Sequence, residues 1–308
     1  MIRYIVKRII TLIPVVLGVT LLVFVIMQLA PGDPARQILG EAAPEEAVEK
    51  LRVEMGLRDP VLLRYVRYMT RFVQGDFGTS YIKNRSVASE IASRFPYTVK
   101  LAVVAAVLTV VLSIPLGILA AVKQNTIFDN LSMIITLIGI SMPVFWLGLL
   151  LILQFSLKFR WVPVAGAQSW RSYILPAICL SFVNMSTVAR TTRSSMLETI
   201  RQDYIRTALA KGVARTKVVH KHAFRNALIP TITVIGIQMS QLLGGSVLVE
   251  TVFAWPGLGR LMVEAINQRD TPMVLGCVIL LTIIFSVLNL IIDLCYGLVD
   301  PRIRAQYS

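Results

Sequence analysis

The sequence has few charged residues for its length, and few of those are acidic. Only 16% of its 308 residues are Asp, Glu, Lys or Arg, whereas 56% are hydrophobic, so an ordinary soluble domain is excluded. Asp and Glu number 17 against 31 Lys and Arg, which gives a formal net charge of +14. The basic residues are not interleaved with aromatic ones in a soluble domain, and we therefore predict no nucleic-acid binding.

Cysteine and histidine are also scarce. The three cysteines, Cys179, Cys277 and Cys295, lie in or at the end of apolar runs, so neither a disulfide framework nor a zinc site is predicted. The two histidines, His220 and His222, are two residues apart and do not share a helix face. The sequence therefore predicts no metal site.

Catalytic motifs are missing as well. The chain contains no G-x-x-x-x-G-K-[ST] phosphate loop and, within its apolar runs, no HExxH, serine–lysine or paired-carboxylate arrangement. Asp293 is the candidate for an intramembrane proton or sodium site, but it lies ~20 residues, or ~30 Å of helix, into the last apolar run and is predicted to be interfacial. We predict no enzyme, and we keep an ion-coupled secondary transporter and a membrane-anchored scaffold as alternative classes.

What the chain does have is a series of long apolar runs. Each is close to the ~20 residues that a helix needs to cross a bilayer, and none alternates with the period of two of a membrane β-strand. The sequence predicts an all-α membrane protein of six transmembrane helices. The predicted spans are Ile9–Ala30, Leu101–Val122, Asn130–Leu157, Ser172–Ala189, Asn226–Val249 and Thr271–Ile292.

The first run could be a cleaved signal peptide, but it is longer than a typical signal-peptide core, and a retained anchor is the favoured interpretation. Lysine and arginine are concentrated before the first span and between Arg190 and Arg225. By the positive-inside rule, these regions and both termini are predicted to be cytoplasmic.

Residues 31–100, which we call the outer segment, are predicted to lie outside. The turn Pro31-Gly32-Asp33-Pro34 should end the first helix, and Gly75 to Ser80 should form a second turn. Between them, apolar spacing predicts short helices over Pro44 to Met55 and Val61 to Val73. The predicted organisation is a first span (1–30), the outer segment (31–100) and a five-helix core (101–308).

Residues 190–228, which we call the inner loop, are predicted to carry a partner-binding element. Asp203 should cap a helix from Tyr204 that Gly212 ends, and Ala208 and Gly212 should allow close approach of another backbone. Thr216 should cap a second helix running from Lys217 into the fifth span. An amphipathic helix lying on anionic lipid remains the alternative interpretation.

Two further features concern the spans. Pro115 and Pro143 should kink the second and third spans unless neighbouring groups satisfy the freed carbonyls. The segment from Ser246 to Asp270 is rich in glycine and aromatic residues, and we predict that it forms a structured outer loop or short helix at the membrane edge. The exposed turns of the outer segment and the aromatic residues of the loop around Trp255 also predict contact with a partner on the outer side of the membrane.

Several short motifs, taken together, resemble one family: the B-type inner-membrane permease subunits of ABC importers for dipeptides, oligopeptides and nickel. The resemblance covers nearly the whole chain. The motifs are Leu29 to Pro34, Gly75 to Ser80, Asp203 to Ala208 with Lys211 and Gly212, His222 with Arg225 to Pro230, Glu250 to Phe253 with Trp255 to Arg260, and Asp300 to Arg302. The general E-A-A motif of importers is altered here, since Arg206 and Thr207 occupy its first two positions.

The resemblance implies a permease bundle of the ABC importer type in a bacterial or archaeal plasma (inner) membrane. It implies that the inner loop forms a coupling helix that binds an ATPase subunit, through Asp203, Tyr204, Arg206, Thr207, Ala208, Lys211 and Gly212. It assigns partner or structural roles to His222, Arg225, Asn226, Pro230, Trp255, Gly257 and Gly259. The implied partners are a second permease in a heterodimer, two cytoplasmic ATP-binding subunits, an extracytoplasmic solute-binding protein and membrane lipid.

The resemblance also implies that this chain binds no cofactor, because ATP and magnesium would be held by the ATPase subunits. The expected substrates are dipeptides or oligopeptides. Nickel and glutathione are the alternative substrates within the same family.

Overall fold

The computed structural model describes residues 2–29 and 32–299. Within these ranges the regular structure is helical, and we number the α-helices in chain order. They are α1 Ile2–Leu29, α2 Pro34–Leu39, α3 Glu45–Glu54, α4 Val61–Val73, α5 Val87–Val122, α6 Ile127–Ser141, α7 Val144–Leu151, α8 Ile174–Ile200, α9 Asp203–Ala210, α10 Arg215–Lys217, α11 Phe224–Val252, α12 Leu258–Asn267 and α13 Thr271–Val299. Two π-helical stretches, Ile152–Lys158 and Val218–Ala223, and one 3-10 turn, Trp170–Tyr173, complete the regular structure.

The six predicted spans correspond to helices in the structure, and two of these are bent. Four described helices are long and apolar enough to cross a membrane, or up to six if each of two bent pairs counts as one span. The pair Arg215–Leu242 and Ser246–Val252 bends by 48°, and the pair Ile127–Ser141 and Val144–Lys158 bends by 109°. The predicted all-α membrane fold is confirmed.

Proline affects the second and third spans differently. The 109° bend lies at Met142 and Pro143, so the predicted kink is present but is a break between two helices rather than a deflection within one. Pro143 precedes the first residue of α7, a position where its missing N–H costs no helical hydrogen bond. At Pro115, in contrast, α5 continues without a break.

Some helices are longer than their apolar runs. α5 begins at Val87, well before the predicted start at Leu101, and its 36 residues extend for about 54 Å. A hydrocarbon core of about 30 Å cannot contain a helix of that length, so its polar first turns project beyond the core. α8 likewise runs to Ile200, so the inner loop begins as a continuation of a span rather than as a loop.

The chain forms two compact units. The first, which we call the core unit, contains residues 99–255 and 288–299 of the described chain. Its interior contains Leu101, Leu180, Leu242, Phe253 and Trp255. Small residues let its helices approach closely, since a methyl group on Gly117 would lie 2.6 Å from the Ala189 carbonyl oxygen.

The second unit, which we call the N-terminal unit, contains residues 2–98 and 256–287. Its interior combines Met27 of α1, Val87 and Ile91 of α5, Leu261 of α12 and Met273 of α13. The helices predicted in the outer segment are confirmed as α3 and α4. The division into 1–30, 31–100 and 101–308 stays a prediction.

One helix of the outer segment was not predicted. Asp33 caps α2 by accepting a hydrogen bond from the Ala35 backbone N–H at 3.0 Å, and Pro34 occupies the first helical position. An Asp–Pro pair is a helix-start signal as well as a helix-stop signal. The sequence interpretation used only the second meaning.

Candidate coupling surface

The helix α9 is the centre of the predicted partner-binding element. It covers Asp203–Ala210 and ends with Gly212 at φ +76°, the left-handed conformation expected of a residue that follows a helix C-cap. The predicted N-cap is one residue late: Gln202 is the cap, and Asp203 lies in the first turn. There its carboxylate still interacts favourably with the positive end of the helix dipole.

One side of α9 packs against its own chain. Ile205 is buried with Met196 of α8 and with Val218 and Ala223 of the following π-helical stretch. Ala208 is half-buried against the same cluster, so it does not share an open face with Gly212 as the sequence analysis predicted. Gly212 itself is exposed, and a methyl group there would meet no atom within 4 Å. Ala208 therefore packs α9 against its own chain, whereas Gly212 is accessible to a partner.

The remaining surface of α9 is exposed, and the parts of it that flank the packed side are apolar. Tyr204 and Leu209 expose 43% and 45% of their surface. Arg206 and Thr207 are exposed between them, and Thr207 Oγ1 donates a hydrogen bond to the Asp203 carbonyl oxygen at 3.0 Å. An exposed aromatic ring and leucine beside polar residues are typical of a surface that another protein covers.

A side-chain hydrogen bond connects two of the predicted motifs. The Asn226 amide in α11 donates to the Tyr204 hydroxyl at 2.7 Å and to the His222 carbonyl oxygen at 3.3 Å. In the sequence, Tyr204 and Asn226 belong to separate motifs, and no local pattern indicates that they pair. The structure brings them together because the chain reverses between α9 and α11.

The segment that carries the second motif is helical throughout, but not in the predicted form. The helical run begins at Arg215 with Ala214 as its cap, so the predicted cap at Thr216 is wrong. His222 is half-buried in the π-helical stretch, while Arg225 and Pro230 are exposed on α11. π-Helical turns concentrate at functional sites because they insert an extra residue without ending the helix.

The inner loop is strongly basic at its surface. Five exposed basic side chains follow α9, and none of them forms an ion pair with another residue in the part of the chain that the structure describes. They are Lys211, Arg215, Lys217, Lys221 and Arg225. A positive field of this kind favours an acidic protein surface or anionic lipid.

Sequence reasoning missed a buried ion pair between α6 and α8 of the core unit. Arg193 of α8 donates two hydrogen bonds to the carboxylate of Asp129 in α6, from Nε at 2.5 Å and from Nη2 at 2.8 Å. The Asp129 side chain is 3% exposed, and it also accepts from the Asn125 backbone N–H at 3.0 Å. The sequence did contain one signal for this pair, because Asp129 is a single carboxylate at the start of an otherwise uncharged span.

The motif from Glu250 to Arg260 is mainly structural. Trp255 is fully buried, and its ring packs edge-on against Tyr173 with centroids 4.5 Å apart. Gly257 caps α12, the short helix that was predicted after Ser246, and Gly259 is buried in its first turn. Trp255 itself has no exposed surface, so only the residues around it could meet a partner, and the contact predicted for this loop stays a prediction.

Nothing in the described residues resembles a metal centre: no group of three or more His, Cys, Asp or Glu side chains is placed to hold an ion. His220 and His222 lie on the π-helical stretch, and His220 is exposed. The inner loop therefore presents a short helix with an exposed surface, a basic region after it, and a buried side that packs against the rest of the chain.

Comparison with known proteins gives consistent matches over almost the whole chain. Residues 113–305 match the family described as binding-protein-dependent transport system inner membrane component, and residues 1–102 match its N-terminal counterpart. The chain is 45% identical over 304 residues to the glutathione transport system permease protein GsiC of Escherichia coli (strain K12), with 99% of each chain covered. The corresponding protein of Salmonella paratyphi A gives the same values.

Solved structures support the fold. The MetNI methionine ABC transporter in inward-facing conformations matches with a TM-score of 0.58 at 20% identity, over 68% of this chain and 96% of that one. An amino acid ABC transporter crystallised with histidines matches with a TM-score of 0.56 at 13% identity, over 68% and 94% of the two chains. At such identities, these structures inform on the fold alone.

Proposed function

We propose that this chain, which belongs to the family of binding-protein-dependent transport system inner membrane components, forms half of the translocation pathway of an importer for short peptides, glutathione included. As an ABC importer permease it is a transport subunit, which works with a partner permease, ATPase subunits and a binding protein. The proposal adds to this the substrate class, the composition of the complex and the residues that transmit force.

The exposed surface of α9 is the observation that carries the proposal. An ABC importer permease receives its driving force from ATPase subunits, and those subunits need a rigid element to act on. Ile205 and Ala208 fix one side of α9 to its own chain, whereas Tyr204 and Leu209, which flank that side, remain exposed. We assign the ATPase contact to this surface, with Asp203, Arg206, Thr207, Lys211 and Gly212 at its edges.

The second motif transmits the movement of α9 into a span. Asn226 bonds to Tyr204 and lies at the start of α11, so a displacement of α9 acts directly on that helix. His222 and Arg225 flank this connection, and Pro230 follows one turn later. A hydrogen-bonded side-chain link between two helices is a short and physically contiguous route for coupling.

The complex is proposed to contain a second, related permease in a heterodimer and two ATP-binding subunits. ATP and magnesium would bind to those subunits and not to this chain. A solute-binding protein would deliver the substrate from outside. Both termini and the inner loop are assigned to the cytoplasm because lysine and arginine concentrate there.

Short peptides are the substrate class that the available observations favour. The relatives at 45% identity are named as glutathione permeases, and glutathione is itself a tripeptide. Dipeptides and oligopeptides have the same combination of an amide backbone and terminal charges. Nickel would require a different delivery, as a chelate, and no feature of the described residues favours it.

Reconstitution of the complete complex in proteoliposomes tests the proposal. With the binding protein outside and ATP inside, we expect uptake of radiolabelled glutathione or dialanine that stops when ATP is replaced by a non-hydrolysable analogue. Uptake by this chain alone under a proton or sodium gradient would refute the proposal in favour of a secondary transporter. Absence of uptake of every peptide by an ATPase-active complex would refute the substrate class.

A further inference from the structure

The N-terminal unit contains a cavity for which the proposed function gives no role. It lies between the outer half of α1, the helix α4, the loop that follows Asp76 and the start of α13, and its volume is about 870 Å³. Sites for small molecules typically measure ~300–1,000 Å³. The cavity is therefore large enough for a short peptide.

One face of α4 provides the charged wall of the cavity. Arg64, Arg67, Tyr68 and Arg71 all line it and are spaced at i, i+3, i+4 and i+7 along the helix. Residues with this spacing share one side of an α-helix. The adjacent side of α4 is fixed by Tyr65, whose hydroxyl lies 2.8 Å from Thr20 Oγ1 and donates to the Leu17 carbonyl oxygen at 2.9 Å. The arginines are thus held on a rigid element.

Arg64 is the unusual member of this face. Its guanidinium is half-buried, donates to the Gln28 side-chain oxygen at 2.9 Å and lies 5.7 Å from the centre of the Phe24 ring. Burial lowers the pKa of Arg64, but an arginine keeps its charge at any physiological pH. A partly buried cation is costly unless an anion compensates it, and Arg64 forms no ion pair with any residue that the structure describes.

Three carboxylates line the cavity, those of Glu54, Asp59 and Asp76, and none of them forms an ion pair with Arg64. Asp59 pairs with Arg67 at 2.8 Å, and Asp76 accepts a hydrogen bond from the Gly78 backbone N–H at 2.8 Å. Arg71 is exposed at the edge of the cavity and, within the described chain, also forms no ion pair. The cavity therefore offers two arginines to an anion from outside.

Two tyrosines add neutral hydrogen-bonding groups. Tyr68 and Tyr81 both line the cavity, and burial raises the pKa of each hydroxyl, so both stay protonated. The Tyr68 hydroxyl already donates a long hydrogen bond of 3.5 Å to the Pro272 carbonyl oxygen. The position of Tyr81 is fixed by Asp270, whose carboxylate accepts from the Tyr81 backbone N–H at 3.2 Å and from the Ser80 hydroxyl. Guanidinium groups combined with hydroxyl donors suit a carboxylate.

We propose that this cavity is a receiving site for the substrate, in which Arg64, assisted by Arg71, binds a free carboxylate of a short peptide. The inference rests on the proposed function, because the cavity must face the side from which the substrate arrives. A small molecule is favoured over an acidic loop of the binding protein, since Arg64 is half-buried within the cavity and a free carboxylate reaches it without a macromolecule entering.

A binding experiment on the whole complex without its solute-binding protein tests the proposal. The complex is placed in lipid nanodiscs, and the affinities for dialanine, dialanine amide and glutathione are measured. We expect dialanine amide, which lacks the carboxylate, to bind about tenfold more weakly than dialanine, the loss typical of one charge-assisted hydrogen bond. In Arg64→Gln, dialanine and glutathione should weaken about tenfold, while dialanine amide should hardly change.

Control variants separate charge from structure. Arg64→Lys should retain most of the preference for dialanine over its amide, and Arg36→Gln, which changes a half-buried arginine outside the cavity, should have no effect. If Arg64→Gln does not fold, Arg71→Gln should still reduce dialanine binding several-fold. Equal effects of Arg64→Gln on dialanine and its amide, or no saturable binding of either carboxylate, would overturn the proposal.

Two further outcomes have distinct meanings. If Arg64→Gln weakens only the binding of the solute-binding protein, the cavity is a docking site for that protein and the receiving site is refuted. If wild-type complex transports peptide normally and Arg64→Gln transports it with an unchanged KM, the receiving site fails while the proposed function stands. If only the proposed function is wrong, the complex should bind carboxylates in a way that depends on Arg64 but should take up no peptide when ATP is supplied.

Discussion

The outer segment and the inner loop are both rich in basic residues, but they differ in whether those residues form ion pairs. In the outer segment, Arg52 pairs with Asp33, Glu45 and Glu49, and Arg67 pairs with Asp59. In the inner loop, the basic side chains after α9 have no such partners among the described residues. Exposed pairs contribute little stability, so the outer pairs mainly cancel charge. Within the described chain, the inner loop after α9 therefore keeps an uncompensated positive surface, and we expect a partner to bind there.

The exceptions in each region support the same interpretation. Arg193 is the inner-loop residue that does have a buried carboxylate partner, Asp129, and it lies where α8 packs on α6. Arg64 and Arg71 are outer-segment residues without one, and they line a cavity. Pairing therefore follows local packing rather than the side of the membrane.

The largest effect is expected from breaking the buried pair. Asp129→Ala leaves the largely buried Arg193 without its counter-ion, and such losses cost about 3–5 kcal/mol. We expect a clear fall in the unfolding temperature of the purified chain in detergent. Glu45→Ala, which removes an exposed carboxylate of the outer segment, should change that temperature little. Equal losses in the two variants would contradict the distinction between buried and exposed pairs.

The second effect concerns Gly212 at the end of α9. Its φ of +76° is unfavourable for a β-branched residue, so Gly212→Val should distort the end of the helix at a cost of about 1–2 kcal/mol. We expect uptake by the reconstituted complex to fall at least tenfold while ATP hydrolysis continues. Membrane insertion should be unaffected.

Gly212→Asn is the matched control, because asparagine tolerates the left-handed conformation. It should keep most of the uptake, since a side chain at this position meets no atom of this chain. Normal uptake by Gly212→Val would refute the assignment of α9 as the ATPase contact. Equal loss in Gly212→Asn would instead indicate that the partner packs directly on the glycine.

A smaller effect is expected at the link between the two motifs. Tyr204→Phe removes the hydroxyl that accepts a hydrogen bond from the Asn226 amide. Because the Asn226 side chain is exposed, its amide can bond to water instead, and the interaction free energy lost is about 1 kcal/mol or less. We expect a reduction of uptake by a few fold with little change in ATP hydrolysis. Asn226→Ala should act similarly, and the double variant should lose no more than either single one. Additive losses would show that the two residues act independently.

The smallest effect should arise from protonation in the outer segment. Hydrogen bonds from Arg52 and Arg58 lower the pKa of Glu49 below its ordinary value of 4.5. A carboxylate with a lowered folded-state pKa stabilises the fold above its unfolded pKa, and this contribution is lost as the pH falls through the folded value. A spin label at Lys50→Cys on α3 should therefore gain mobility only below about pH 4.5.

Glu49→Gln gives the comparison for that measurement. With the charge removed, the label should already be more mobile at pH 7 and should respond less to acid. A gain in mobility between pH 5 and pH 7 would assign the titration to another group. No change over the whole range would show that the outer pairs do not hold α3.

The local sequence was sufficient for much of the architecture. Apolar runs located the spans, and the spacing of Tyr65, Met69 and Phe72 located α4 to the residue. Gly212 was identified as a helix terminus because only a residue tolerant of positive φ suits that place. These features depend on neighbours along the chain, so the sequence contains their full cause.

Other features depend on residues far apart in the chain, and only the tertiary structure decided them. The pair of Asp129 with Arg193, the bond of Asn226 to Tyr204 and the burial of Trp255 all require a particular packing of helices. The packing of Ala208 against its own chain is another example. A small residue is equally suited to contact with a partner and to a tightly packed interior, so the sequence does not distinguish the two. By itself the sequence determined a six-span permease with a basic inner loop, since hydropathy and charge act locally. Which charges are paired and which are left for a partner was decided by the tertiary structure, because electrostatic compensation depends on distance in space.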